Sequence, residues 1–236
     1  MRLDKFLSNM NIGSRKEVKE LVRAGRVSVN SVTARDAGMN VSESDLVVLD
    51  GKEISYEKYV YIMMNKPAGV ISSTEDGHDR TVTDLIAPPV PKGLSPVGRL
   101  DKDTVGLMLL SNDGELAHRL LSPAHHVDKT YFVKVTGALT EEDVDAFKSG
   151  MELSDFTCLP AALKIIRSGD ISEAEVTIHE GKFHQIKRMF AKRKKNVIYL
   201  KRLSMGTLTL DSSLEEGEYR RLTDEEVRAL KNPISI

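Results

Sequence analysis

Hydrophobic and polar positions in the first 50 residues follow two helical repeats and then an alternating pattern. The first helix has apolar residues at helical spacing, and Ser14 with Glu17 forms the sequence of a capping box that begins a second helix. Residues 26–30 alternate as a strand does, and the apolar run 46–49, which ends at Asp50-Gly51, resembles another strand. The pattern predicts a small α/β module over residues 1–55, a polar linker at 56–60 and a second domain over 61–236. The apolar positions of the first helix are Leu3, Phe6, Leu7 and Met10.

The second domain has the pattern of an α+β fold that is rich in strands. Its strand-like runs cover 60–64, 130–135 and 174–178, while the apolar run 106–110 fits a buried strand or a buried helical segment. Residues 87–91 contain three prolines and predict an irregular loop. Helices are predicted from the acidic segment after Thr140, over the basic segment 184–193 and after Thr223.

The composition is that of a soluble globular protein. Of 236 residues, 40% are hydrophobic and 29% are charged, and no apolar run approaches the roughly 20 residues that a membrane span needs. The charged start Met1–Lys5 has no apolar core of the secretory type. One cysteine, Cys158, allows no internal disulfide and fits a small core residue better than a nucleophile. These features predict a reducing, cytoplasmic location.

The net charge of −1 conceals two basic segments. Residues 1–30 contain seven Lys or Arg against three acids, and residues 182–202 contain nine Lys or Arg and no acid. Either segment alone would fit a solvated face, but two of them on an otherwise acidic chain favour contacts with the phosphates of a nucleic acid.

Candidate chemistry is confined to a loop. The sequence has no glycine-rich phosphate loop and no metal motif of the His-Glu-x-x-His or paired-cysteine kind. Adjacent histidines, His125 and His126, would face different directions on a helix or a strand. Gly98-Arg99-Leu100-Asp101 follows the proline-rich loop and precedes the buried run at 106–110. From spacing alone, Asp101 is either a catalytic carboxylate at the end of rigid structure or a turn residue that caps its own backbone.

Three motifs favour the catalytic interpretation of Asp101, because they resemble the motifs of a known family. Gly98-Arg99-Leu100-Asp101-x-x-Thr104-x-Gly106-Leu107 resembles the catalytic motif of the ribosomal pseudouridine synthases. Lys129-Thr130-Tyr131 resembles the second motif of that family, and the segment 180–189 resembles the third. Residues 1–50 are similar to the S4 RNA-binding module of the small-subunit branch. The resemblance extends over nearly the whole chain, with the motifs in the expected order.

The resemblance implies a fold and a chemistry. The fold is an S4-like α/β module followed by a catalytic domain with a mixed, mainly antiparallel sheet and flanking helices. The reaction isomerises uridine to pseudouridine in RNA and needs no cofactor or metal. Asp101 is then the catalytic carboxylate, and Lys187 is the cation that keeps it ionised, where other branches have arginine. Tyr131 would stack on the uracil and take part in proton transfer.

The resemblance also suggests RNA contacts. Arg99 would fill the space left by the flipped uridine or clamp a phosphate, whereas His184 and Gln185 would shape the turn of the third motif. Family members often have a glycine after the third-motif helix, where this chain has 192–196, Lys-Arg-Lys-Lys-Asn. The predicted RNA-binding residues are Arg99, Arg2, Lys5, Arg15, Lys16, Arg23, His184, Gln185 and Arg188.

The segment from His118 to Tyr131 is most similar to the family branch that modifies position 516 of 16S rRNA. The expected partner is therefore rRNA within a ribosomal assembly intermediate, and the protein is expected to act as a monomer without a membrane. Two alternatives stay open, a 23S rRNA target and a non-catalytic assembly factor that binds rRNA. The presence of Asp101, Tyr131 and Lys187 favours an enzyme over the second.

Overall fold

The computed structural model describes residues 1–87 and 92–232. The chain divides into two compact units, one of Met1–Val60 with Ile86–Leu94 and the other of Tyr61–Leu85 with Ser95–Ile236. The linker predicted at 56–60 and the domain bounds beside it stay predictions. Most of the proline-rich loop predicted at 87–91 lies outside the described residues.

The described residues of the first unit form two helices and a four-stranded antiparallel sheet in the order β2-β1-β3-β4. The predicted capping box is confirmed, because the Glu17 carboxylate accepts from the Ser14 backbone N–H at 2.7 Å and the Glu17 N–H donates to Ser14 Oγ at 3.3 Å. The four apolar positions of the first helix are all buried. The elements are α1 (Leu3–Asn9), α2 (Arg15–Arg23), β1 (Val27–Val29), β2 (Val32–Thr33), β3 (Val47–Leu49) and β4 (Lys52–Glu53).

The second unit is built on a nine-stranded sheet with helices beside it. Its strands are β5 (Tyr61–Lys66), β6 (Ser95–Pro96), β7 (Val105–Ser111), β8 (Lys129–Thr136), β9 (Ala162–Arg167), β10 (Ile171–Ile178), β11 (Val197–Met205), β12 (Leu208–Thr209) and β13 (Tyr219–Arg221). Its helices are α3 (Gly114–Leu121), α4 (Glu141–Lys148), α5 (Gln185–Lys192) and α6 (Asp224–Lys231), with short 3₁₀ turns at Thr83–Leu85 and Pro123–His125.

The sheet order is β13-β5-β7-β11-β8-β10-β9, with β12 paired to β11 and β6 paired to β7. Every pairing is antiparallel except that of β7 with β11. The apolar run at 106–110 is therefore a strand, and all residues of β7 are buried. The predicted α+β fold with a mixed, mainly antiparallel sheet is confirmed. None of the described helices is both long and apolar enough to cross a membrane.

Gly106 permits the single parallel pairing of the sheet. It has φ +97°, and a Cβ atom at this position would lie 2.4 Å from the backbone oxygen of Arg202 in β11. A side chain here would separate β7 from β11, so the glycine of the first motif has a structural role in joining these two strands.

Candidate active site

Asp101 lies in the loop between β6 and β7, and the backbone of this loop is fixed from several sides. The Thr104 N–H donates to the Asp101 carbonyl at 3.1 Å, which closes a turn. Ser72 holds the preceding residue twice, because its hydroxyl donates to the Leu100 carbonyl at 2.8 Å and accepts from the Leu100 N–H at 2.9 Å. The carboxylate is thereby placed by a rigid backbone, as catalysis requires.

Lys66, at the end of β5, binds the backbone of the same loop. It was not among the predicted site residues. Its side chain is fully buried, and Nζ donates to the carbonyls of Thr104 at 2.9 Å and Asp101 at 3.2 Å. Burial lowers the pKa of this amine to about 8, while the charges of Asp103 and Asp101 oppose the fall. A lysine that ends a buried strand is the signal in the sequence that could have identified it.

Lys187 joins Asp101 to the first turn of α5. Its Nζ lies 2.9 Å from Asp101 Oδ2 and 2.6 Å from Asp103 Oδ1. Burial acts to lower the pKa of Lys187, but hydrogen bonds to Asp103 and Asp101 outweigh it and the pKa is raised. The hydrogen bond from Lys187 is also the main reason that the pKa of Asp103 is lowered. This ion pair is the one that the sequence predicted, and Asp103 is an additional member.

The turn before α5 is held by its own side chains. The Glu180 carboxylate accepts from Gln185 Nε2 at 2.9 Å and from the Leu159 N–H at 2.9 Å. Gln185 is buried, and its Oε1 accepts from the Lys182 N–H at 3.2 Å. His184 has φ +51°, and its Nε2 lies 3.5 Å from Asp101 Oδ1. These contacts place α5 so that Lys187 reaches the carboxylate.

Tyr131 lies in β8, where it pairs with Arg202 of β11 on one side and Val176 of β10 on the other. The residue is buried, yet its side chain lines the same cavity as Asp101. Within the described residues its hydroxyl has no hydrogen-bond partner. The ring is thus fixed in the sheet while the hydroxyl is available to a ligand.

Two adjoining cavities share the Asp101 loop and the turn before α5. An inner pocket of about 50 Å³ lies against Tyr131, and an outer cleft of about 690 Å³ opens beside it. Arg99 lines both, is exposed, and makes no hydrogen bond or ion pair within the described part of the chain. The predicted site residues that line the inner pocket are Arg99, Asp101, Tyr131, His184, Gln185 and Lys187.

Arg188 does not line either cavity. Its guanidinium pairs with the Asp155 carboxylate, donates to Ser154 Oγ at 3.1 Å and lies 4.8 Å from the centre of the Phe156 ring. These contacts attach the segment after α4 to the third motif. A contact of Arg188 with RNA stays a prediction. It would require the guanidinium to bind RNA while it also binds Asp155 and Ser154.

The predicted RNA contacts of the first unit are exposed on α1, α2 and the residues before them. Arg2 pairs with buried Asp4 at 2.9 Å, and Arg23 pairs with Glu20 at 2.9 Å. The side chains of Lys5, Arg15 and Lys16 make no hydrogen bond or ion pair within the described residues, so these three are available to an anion.

Part of the basic segment 182–202 is not a solvated surface. Arg202 is buried, and its Nε donates to the Leu107 carbonyl at 2.7 Å. Arg193 and Lys195 pair with the fully buried carboxylate of Asp143 in α4, at 2.7 and 3.1 Å. The charge count of the sequence therefore overstated the basic surface, because five of the nine cations, these three together with Lys187 and Arg188, have partners within the protein.

Within residues 1–87 and 92–232, no group of three or more His, Cys, Asp or Glu side chains is placed to hold a metal ion. Cys158 is buried, and burial raises the pKa of its thiol. This agrees with the interpretation of Cys158 as a core residue.

Comparisons with known proteins match both units. A family model described as RNA pseudouridylate synthase matches residues 60–192, and one described as S4 domain matches residues 1–47. A solved structure of a pseudouridylate synthase is 36% identical, with a TM-score of 0.69 and coverage of 98% of this chain and 99% of that chain.

Three relatives of known sequence are similar over almost their entire length. The uncharacterized RNA pseudouridine synthase YtzG of Bacillus subtilis is 45% identical, over 99% of each chain. The ribosomal small subunit pseudouridine synthase A of Vibrio cholerae is 43% identical, over 98% of this chain and 99% of the relative. The ribosomal large subunit pseudouridine synthase B of B. subtilis is 36% identical, over 98% of this chain and 95% of the relative.

Proposed function

The chain belongs to the RNA pseudouridylate synthase family and begins with an S4 domain, and from this premise we propose that it isomerises the uridine at position 516 of 16S rRNA. The observation that supports the chemistry is the Asp101–Lys187 ion pair on the wall of the pocket that Tyr131 also lines. An RNA pseudouridine synthase needs a carboxylate, its counter-cation and an aromatic surface in one place, and the three motifs meet here.

Asp101 acts on the sugar. When the C1′–N1 bond breaks, its electron pair leaves with the uracil and C1′ becomes electron-poor. The Asp101 carboxylate faces that carbon and stabilises it. The side chain is one quarter exposed, so RNA that closes the site would remove water from the carboxylate. The Lys187 ammonium, at 2.9 Å, supplies the opposite charge beside it.

The base turns while it is held in the pocket, and a C1′–C5 bond then forms. C5 loses its proton and N1 gains one, so that the product is an isomer of the substrate. Tyr131 supplies the surface on which the uracil stacks, and its hydroxyl, which has no partner within the described residues, takes part in the proton transfer. Arg99 reaches RNA from the rim that the two cavities share, either in the place of the flipped base or on a phosphate.

Phenylalanine at position 131 should leave the fold and the RNA affinity unchanged and lower the turnover. The ring that stacks on the base is retained, and the lost hydroxyl makes no internal hydrogen bond within the described residues. Proton transfer by a positioned group contributes about 10²- to 10⁴-fold, so single-turnover rates of Tyr131→Phe should fall by roughly 10²-fold. Leucine at the same position should weaken RNA binding as well. If Tyr131→Phe turned over as fast as wild type, the hydroxyl would have no role in proton transfer and Tyr131 would act by stacking alone.

The choice of target is supported by relatives that act on the small subunit, and one relative named for the large subunit is similar over the same length. Chemical mapping of pseudouridine in 16S and 23S rRNA, after incubation with purified protein, separates the two targets. We expect product at position 516 alone, with a higher rate on a small-subunit assembly intermediate than on free 16S rRNA. Product in 23S rRNA would contradict the proposed target. Sedimentation of the active protein should give the mass of a monomer.

A further inference from the structure

Phe183 is the most exposed large hydrophobic side chain in the described part of the chain, with 73% of its surface accessible. It lies in the turn that precedes α5, beside residues of the third motif. A single exposed apolar residue is ordinary on a protein surface. The surroundings of this one distinguish it, because it borders the outer cleft and is held in a fixed orientation.

The Phe183 ring stacks on the imidazole of His184. Their ring centres lie 3.8 Å apart and their planes are inclined by 19°. His184 has a left-handed backbone, with φ +51°, which brings two successive side chains to the same side of the turn. The Nε2 atom of the same imidazole lies 3.5 Å from Asp101 Oδ1. The phenyl ring is thus stacked on an imidazole whose Nε2 lies near the proposed catalytic carboxylate.

The cleft beside this ring is much larger than the inner pocket, about 690 Å³ against about 50 Å³. Its volume lies in the range of sites that take a small organic ligand. Both cationic and anionic side chains line it, and Lys102 among them is paired with Asp79 at 2.6 Å. Arg99 and Lys182 have no ion-pair partner within the described residues. The cleft can therefore take both a base and its phosphate.

We propose that Phe183, held by His184, is the platform on which a base adjacent to the target uridine stacks when that uridine enters the inner pocket. Base–aromatic stacking fixes an RNA strand with little demand on base identity. The platform would position the strand so that the target sugar meets Asp101. Phe183 is a positioning residue in this scheme, and the scheme rests on the proposed pseudouridine synthase activity toward rRNA.

A set of variants at position 183 tests the platform with an rRNA fragment that wild type modifies. Phe183→Ala and Phe183→Leu should raise KM by about 5- to 150-fold, while kcat at saturating RNA changes little. Phe183→Trp should restore KM, because it retains an aromatic face. Ile166→Ala, on the far strand β9 and 51% exposed, is the matched control and should behave as wild type. Melting temperatures should be equal throughout, since both side chains are exposed.

Two further RNAs, each lacking the base on one side of the target uridine, locate the contact. With one of these RNAs, the KM of wild type should rise by the same factor by which Phe183→Ala raises KM on intact RNA. The KM of Phe183→Ala should not rise further on that RNA. The proposal is overturned if the ratio of the Phe183→Ala KM to the wild-type KM is the same on both abasic RNAs as on intact RNA. It is also overturned if Phe183→Leu has the KM of wild type. Absence of pseudouridine from every wild-type rRNA reaction would instead reject the proposed function.

Discussion

Asparagine in place of Asp101 should abolish pseudouridine formation while the protein stays folded and still binds rRNA. The amide keeps the size of the side chain and can still accept from Lys187, but it lacks the charge that we propose stabilises C1′. Loss of a group that acts directly on the reacting carbon costs at least roughly 10³-fold in rate. Single-turnover incubation with 16S rRNA, followed by chemical mapping of pseudouridine, measures the loss. Filter binding of the same RNA should give a Kd close to that of wild type.

Asp103→Asn is the matched control for Asp101→Asn. Asp103 also accepts from Lys187, at 2.6 Å, but its side chain is 74% exposed and lines neither cavity. The control therefore removes a carboxylate from the same cation without removing the one that we propose faces the substrate. Equal losses of turnover in the two variants would show that Asp101 acts only through the local charge, and would contradict its proposed role at the sugar.

Local patterns in the sequence were sufficient for elements with a strong period or a capping signal. The helix from 184 to 193 is present as α5, and Thr223 with Glu226 forms the capping box of α6. Six elements of the second unit had no prediction, namely α3, β6, β9, β11, β12 and β13. β11 has no strict alternation of polar and apolar residues, and its adjacent Lys201 and Arg202 were counted with a basic surface. Its position in the middle of the sheet depends on pairing with β7 and β8, which no local pattern reveals.

In the candidate site, too, residues with a local sequence pattern were predicted and residues that act through distant contacts were not. Asp101, Tyr131 and Lys187 were predicted because each lies in a motif, and the structure brings all three to one pocket. Lys66 and Ser72 were missed, since their role is to bind backbone carbonyls and amides near Asp101. Such contacts join positions about 30 residues apart and leave no spacing signal. A buried cation in the sequence indicates that it has partners, but not which ones.

Methionine in place of Lys187 should lower both the stability and the turnover. It keeps much of the length and the apolar stem of lysine, but it leaves Asp101 and Asp103 without their shared cation. Removing one partner of a buried ion pair costs about 3–5 kcal/mol. Asp101 and Lys187 are each about one quarter exposed and Asp103 is mostly exposed, so solvent screening reduces the expected loss to about 1–2 kcal/mol. Turnover should fall by roughly 10²-fold, as on removal of other fixed charges from active sites.

The pH dependence of this stability difference has a defined sign. The hydrogen bond from Lys187 lowers the pKa of Asp103, so its stabilisation is complete above the ordinary value of 3.8 and is lost as the pH falls through the lowered value. The raised pKa of Lys187 gives a contribution that is complete below 10.5 and is lost at higher pH. Urea unfolding should therefore separate wild type from Lys187→Met most widely between roughly pH 4 and 10.

Arginine at position 187 separates the charge from the geometry of the amine. Lys187→Arg retains the cation, so most of the free energy of unfolding that Lys187→Met loses should be retained. Turnover should recover only in part, because the planar guanidinium cannot place one donor 2.9 Å from Asp101 and another 2.6 Å from Asp103 as the rotating ammonium does. If Lys187→Met melted and turned over as wild type does, the 2.9 Å contact would have no energetic role, and the cation that serves Asp101 would have to be sought in Arg99 or the RNA-bound state.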